Sequence, residues 1–254
     1  MRKLKLGMIK FKIVVALWLI GCVYVMSQKT ANKLLKEELL KEATNLDSIK
    51  KYLENGADVN ESINAWEDRP LHMATTKGNA DLVKLLLNNG ANIDCKNEGG
   101  ETPLLKAIHE ENYKLVALLI NNGANVNKHD RHASPLHYAV LRNDYAIAKL
   151  LVDSGTEINC QTASLYTPLY FAVEKGHSNL VELLIQSGAD VNMSDFKQIS
   201  PIYLAVQNRD VNMVKKLLNA GENTNTLNVM GESPVSIAKN NGYDEILKLL
   251  NINN

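Results

Sequence analysis

Apolar residues recur along this chain in short stripes. Leu180, Val181, Leu184 and Ile185 form one, Leu115, Val116, Leu119 and Ile120 another, and Leu82, Val83, Leu86 and Leu87 a third. An i, i+1, i+4, i+5 spacing lines one face of a helix. The clearest copy spans residues 167–192 and reads TPLYFAVEKGHSNLVELLIQSGADVN. It predicts a short first helix over 168–175, a turn, a second helix over 179–186, and a stop at Gly188.

The punctuation repeats with the stripes. Every proline belongs to one series, Pro70, Pro103, Pro135, Pro168, Pro201 and Pro234, and a glycine series, Gly56, Gly90, Gly123, Gly155, Gly188 and Gly221, runs in step. Chance does not phase six prolines in this way, so the chain is a repeat array. Proline fits the first turn of a helix, where its missing N–H is not needed. The residue before it is Thr102, Ser134, Thr167, Ser200 or Ser233, a hydroxyl suited to cap that helix; only Arg69 departs. The glycines tolerate the left-handed conformation that ends the second helix. One unit is therefore helix, turn, helix, extended loop, and each copy buries its apolar face only against its neighbours.

These residues resemble the ankyrin repeat family. The likeness is carried by Pro70-Leu71-His72-Met73-Ala74, Thr102-Pro103-Leu104, Ser134-Pro135-Leu136-His137-Tyr138-Ala139 and Thr167-Pro168-Leu169, which follow the T-P-L-H-x-A signature of that family. Gly56-Ala57-Asp58-Val59-Asn60, Gly90-Ala91-Asn92-Ile93-Asp94 and Gly188-Ala189-Asp190-Val191-Asn192 match its closing motif. The resemblance implies an all-α fold, a solenoid of stacked helix-turn-helix units with extended loop or β-turn fingers. About seven units are expected, at 33–62, 63–96, 97–129, 130–161, 162–194, 195–227 and 228–254, the outer two being caps. The first lacks TPLH, and its turn between helices is expected to be shorter than the others. By the same resemblance His72 and His137 make structural hydrogen bonds between repeats. Partner proteins are implied on the concave face of finger tips and first helices. The variable residues there are Trp66, Lys77, Arg131, Leu141, Arg142, Tyr166, Lys175, Phe196 and Ile199. Exposed aromatic residues and arginines are what interface hot spots are made of.

Residues 1–29 stand outside the register. Met1–Lys12 is basic, and Ile13–Met26 is an uncharged, mostly apolar run. As a helix it covers about 21 Å, against a hydrocarbon core of about 30 Å. That length suits the core of an export signal, or a short anchor if Lys10 and Lys12 snorkel. Leu19-Ile20-Gly21-Cys22 resembles a bacterial lipobox, which makes Cys22 a candidate for lipidation; cleavage after Ser27 is a further reading. All place the repeat domain, 30–254, on the non-cytoplasmic side, attached to a membrane or, alternatively, secreted.

Charge adds one exclusion. Residues 1–30 hold six basic groups and no acid, so the rest carries 28 − 6 = 22 basic against 28 acidic residues. An acidic body argues against nucleic-acid binding, which needs clustered lysine and arginine. Three cysteines at these positions give no disulfide framework. No catalytic, cofactor or metal motif is present, and His129-Asp130-Arg131-His132 reads as a solvated loop tip rather than a metal site. The expectation is a monomeric protein-binding module without cofactor, with a secreted effector that binds a foreign or host protein as the alternative and a hydrolase less favoured.

Overall fold

The structure, a computed structural model, describes residues 2–252; the side chains of residues 2–14, 16, 19, 20, 22 and 252 fall outside that description. Fourteen helices and no strand occur among the described residues. They fall into two compact units, Met1–Glu98 and Gly99–Asn254.

The first unit holds α1 (Arg2–Leu40), α2 (Leu46–Glu54), α3 (Pro70–Thr76) and α4 (Ala80–Asn88). Helix α1 runs without a break across residue 29, and its C-terminal part is the first helix of the first repeat. Ala31, Leu35 and Leu39 are buried there, and α1 packs on both α2 and α3. The turn after it, Lys41–Asn45, is longer than the expected short one; the second repeat uses only Lys77–Asn79. Buried Glu38 stabilises the longer turn by accepting the Asn45 N–H at 2.9 Å and the Lys41 ammonium at 2.5 Å.

The second unit is a stack of five helix pairs: α5 (Pro103–His109) with α6 (Tyr113–Asn121), α7 (Pro135–Leu141) with α8 (Tyr145–Asp153), α9 (Pro168–Glu174) with α10 (Ser178–Gln186), α11 (Pro201–Gln207) with α12 (Val211–Asn219), and α13 (Pro234–Asn240) with α14 (Asp244–Ile252). The first helices α5, α7, α9, α11 and α13 pack one on the next in chain order. Of each apolar stripe three members are buried, as with Leu180, Val181 and Leu184, while the fourth, Ile185, is half-buried. On a helix the i+5 position lies about 140° round from i, at the edge of the covered face.

Capping follows the expectation with one exception. Thr102, Ser134, Thr167 and Ser233 each accept the backbone N–H three residues on, whereas Ser200 makes no such bond. The second helices have their own caps: Asn45, Asn79, Asn112, Asp144 and Asp210 side chains accept from the first turn, and His177 does not.

The fingers are folded by a periodic polar side chain at their base. Asn64, Asp130, Asp195 and Asn228 each accept two backbone N–H groups from their own finger, between 2.7 and 3.0 Å. Thr162 accepts one, from Tyr166, at 3.2 Å. Such local bonds offer the chain a turn in place of a ladder. Neighbouring fingers touch through single backbone bonds: Glu98 donates to Trp66 at 2.8 Å in the first unit, and Val229 donates to Lys197 at 3.0 Å in the second.

Two left-handed positions recur in addition to the closing glycines. Three residues before proline stand Glu67, Gly100, Leu165, Gln198 and Gly231, with φ between 57° and 80°. Eight residues after proline stand Gly78, Glu111, Asn143, Gly176, Arg209 and Gly242, with φ between 52° and 70°. A side chain at positive φ costs about 1 kcal/mol or more. Leu165→Gly and Arg209→Gly are therefore each expected to stabilise the chain by about 0.5–1 kcal/mol, and Gly176→Ala to destabilise it by a similar amount. The urea midpoint of each variant checks this; a lowered midpoint in both glycine variants contradicts it.

Asparagines fasten repeat to repeat. The Asn60 side chain accepts the Asn92 N–H at 2.8 Å and donates to the Gly90 carbonyl at 3.1 Å. In the second unit Asn159 does the same to Asp190 and Gly188, at 2.9 and 3.3 Å. Asn127 accepts from Glu157 and Asn192 from Asn223. Asn159→Ala removes both bonds of its rung and is expected to cost about 1–3 kcal/mol. Asn122→Ala, whose side chain bonds only within its own helix, is expected to cost less than half as much. Equal losses in a paired urea titration would contradict the rung.

Candidate functional site

Trp66 stands at a finger tip of the first unit. Its backbone is fixed by Asn64 and by the bond from Glu98, yet its side chain is 70 % exposed. Lys77 is engaged: its ammonium bonds the Lys41 carbonyl and the Thr44 hydroxyl, tying α3 to the long turn after α1.

In the second unit the predicted residues divide by what they touch. Tyr166 rests on Tyr170 and Phe171, with ring centroids 4.6 and 5.3 Å away, and its carbonyl accepts from His137. Arg142 pairs with Glu111 at 2.9 Å and Lys175 with Glu174 at 3.3 Å, both partly exposed. Such pairs contribute about 0–1 kcal/mol, so a partner can exchange them cheaply. Arg131 is an exposed tip residue whose stem lies 3.6 Å from where a side chain on Gly100 would begin. Leu141 is at the edge of exposure, Ile199 is half-buried, and Phe196 is 54 % exposed with the Lys197 ammonium 5.5 Å from its ring centre.

The sequence reading missed exposed apolar residues further along. Leu165, Leu227, Val229 and Met230 are all exposed, Met230 by 71 %. The bond from Val229 to Lys197 sets Val229 and Met230 beside the Phe196 finger. The signal was available: Met230 holds the same offset from Pro234 as Trp66 from Pro70. The first helices also add Tyr138, which meets His109 edge-on at 4.6 Å, and His109 joins Lys106 on Glu101 at 3.0 and 2.8 Å.

The buried polar groups are structural in their geometry. Burial lowers His137 to about 4, so its ring is neutral. Its Nδ1 accepts from the Ser134 N–H at 3.3 Å, and its Nε2 donates to the Tyr166 carbonyl of the next repeat at 3.0 Å. In the following repeats tyrosines occupy this place: Tyr170 donates to Asp195 at 3.2 Å and Tyr203 to Glu232 at 2.9 Å. Burial, reinforced by Glu232, pushes Tyr203 up to about 12. The Cys160 thiol lies 3.1 Å from Ser134 Oγ and 3.7 Å from His137 Nδ1, and burial pushes it above its ordinary value. Nucleophilic catalysis wants a thiolate or an accessible base near the working pH. A neutral thiol against a buried neutral imidazole is instead a clasp between repeats. In the 129–132 loop the Asp130 carboxylate is occupied by two backbone N–H groups and the Tyr138 hydroxyl.

Comparison with known proteins agrees with this architecture. The family model "Ankyrin repeats (3 copies)" matches residues 40–130, 127–195 and 169–254. An ankyrin repeat domain from Acinetobacter baumannii is 32 % identical, with a TM-score of 0.69 over 72 % of this chain and 97 % of that one. The Bcl-3 ankyrin repeat domain, of the IkappaB protein family, superposes with a TM-score of 0.77 over 86 % of this chain and 97 % of its own, at 22 % identity, a likeness of fold alone. An ankyrin repeat protein of Rickettsia bellii is 34 % identical over 90 residues, 33 % of this chain and 52 % of that protein. The mouse 2-5A-dependent ribonuclease is 40 % identical over 55 residues, which is 22 % of this chain and 8 % of that protein. The chain thus spans about half, or less than a tenth, of the curated relatives it matches. On the repeat geometry and these matches together, the chain belongs to the ankyrin repeat family.

Proposed function

We propose that this chain is a membrane-attached, exported scaffold whose repeat domain binds a partner protein through its finger tips and first helices. Ankyrin repeats are protein–protein interaction modules. The observation that carries the reading here is the patch of Phe196, Val229 and Met230 on two hydrogen-bonded fingers, all left exposed. Large exposed apolar side chains on adjacent fingers are a surface of the kind that marks an interaction site, and these positions vary between copies while the scaffold does not. Trp66 supplies a second exposed anchor in the first unit.

Attachment rests on the N-terminal run. Val23, Tyr24 and Met26 of α1 are exposed, and the chain itself does not cover them. Among the described residues no helix is long and apolar enough to cross a membrane. We place the attachment in the short apolar run, in a lipid on Cys22, whose side chain lies outside the described residues, or in both. Six basic groups within residues 1–30 favour keeping the N-terminus on the cytoplasmic side.

The capture experiment compares the intact chain with Phe196→Ala/Val229→Ala/Met230→Ala and with Trp66→Ala in extracts of the source cells. These side chains are exposed, so folding is expected to survive. At least one variant is expected to lose a captured protein by tenfold or more, about 1.4 kcal/mol or more. An unchanged capture profile in both contradicts the proposed face. Fractionation tests attachment: the chain is expected in the membrane pellet after a high-salt wash, and recovery in the culture medium would favour a secreted effector instead.

A further inference from the structure

Glu222 departs from its copies. One residue past the closing glycine the other repeats carry Ala57, Ala91, Ala124, Thr156 and Ala189. A glutamate at this place would ordinarily turn to water, yet Glu222 is 6 % exposed. Its Oε1 accepts the Ile202 N–H at 2.6 Å, in the first turn of α11. Its Oε2 has no hydrogen-bond partner, and neither has the buried Ser200 Oγ. Ser200 is the cap residue that makes no cap bond. Its hydroxyl is near enough to favour the Glu222 charge but lies outside hydrogen-bonding geometry. The carboxyl of Glu222 has therefore taken over the end of a helix that four other copies close with their own hydroxyls.

Among the described residues no cation offsets a charge at this place. Helix α11 carries no ionisable side chain other than Tyr203, which is bonded to Glu232. The lysines of α12 are engaged elsewhere, Lys216 with Glu182 at 3.0 Å and Lys215 with Glu245 at 3.7 Å. The charged group that acts on Glu222 is Asp190, of the same sign. A buried carboxyl with one unpaired oxygen and an anion for a neighbour favours its proton-bound form.

We propose that Glu222 is a proton-dependent latch on the sixth repeat: with its proton it holds α11 in place, and release of that proton to solvent loosens α11 and α12. Burial first, then Asp190, raises this carboxyl from its ordinary 4.5 to about 8. Between those values the folded repeat holds a proton that the opened repeat has released. Opening therefore releases a proton, and local stability, fully present below pH 4.5, is lost as pH rises to about 8. The opening stays local because each repeat of such a stack is held mainly by its nearest neighbours. Phe196 and Lys197 sit in the finger that leads into α11. Loosening there reaches the proposed binding patch; that consequence rests on the proposed function, whereas the latch does not.

The test is amide hydrogen exchange on the full chain, without any partner, from pH 5.5 to 9. Opening constants for α11 and α12, corrected for intrinsic chemical exchange, are expected to rise about tenfold per pH unit up to about pH 8 and then level off. Glu222→Gln keeps the volume, and Glu222→Ala restores the residue of four of the five other copies, so both are expected to fold. In both the slope should vanish, while α5 to α8 stay flat in every version. The same slope in Glu222→Gln as in the original chain, or no slope in the original, overturns the latch. A direct ¹³C titration of the Glu222 carboxyl gives a second reading: a midpoint near 8 supports it, and one near 4.5 overturns it.

Discussion

Four joints between helix pairs are fastened by an asparagine side chain that accepts a backbone N–H of the following copy: Asn60 from Asn92 in the first unit, and Asn127 from Glu157, Asn159 from Asp190 and Asn192 from Asn223 in the second. The bond matters because a seven-residue first helix and a nine-residue second helix cannot stand alone. Their stripes, such as Leu180, Val181 and Leu184, are dry only when a neighbour lies against them. Burial supplies the driving force and is indifferent to register. The asparagine rung, together with His137 on the Tyr166 carbonyl, sets the register by matching one donor to one acceptor across the joint. Each exposed rung adds modestly, and the part-buried bond from His137 adds the larger cost of leaving its partner unpaired, so a slipped stack loses several small terms together.

How much of this was legible in the sequence follows from which residues are periodic. The prolines, closing glycines and apolar stripes gave the helix pairs nearly to the residue. The polar finger bases were equally periodic, in Asn64, Asn97, Asp130, Thr162, Asp195 and Asn228, but their role becomes visible only once Asn64, Asp130, Asp195 and Asn228 are each seen accepting two N–H groups of their own finger. The left-handed positions were hidden because glycine fills only some copies; Leu165 and Arg209 give no sign of a positive φ. The first repeat misled because α1 continues past Leu39 to Leu40 and Glu38 then holds a wider turn, a contact that no local pattern encodes.

The candidate surface was less legible than the scaffold. Trp66 and Phe196 were singled out from their place in the loop tips before proline, and both are exposed. Tyr166 shares the location but spends its ring on Tyr170 and Phe171, and Lys77 spends its ammonium on the turn after α1. Whether a side chain at a variable position faces outward depends on the size of its neighbours, which the register does not report. Conversely Val229 and Met230 were passed over because their repeat looks like a terminal cap, although its finger keeps the bond to the one before. Where a copy departs from the shared pattern, at Phe196, Met230 or Glu222, the scaffold carries a property of its own.

Radical footprinting of the chain in native membranes against the purified chain tests the central claim, that finger tips are the recognition surface. Oxidation of Trp66, Phe196 and Met230 is expected to fall in the native sample, while Tyr113 and Tyr145, exposed on second helices, stay unchanged. Equal labelling of all five in both samples, or protection confined to the two tyrosines, would contradict it.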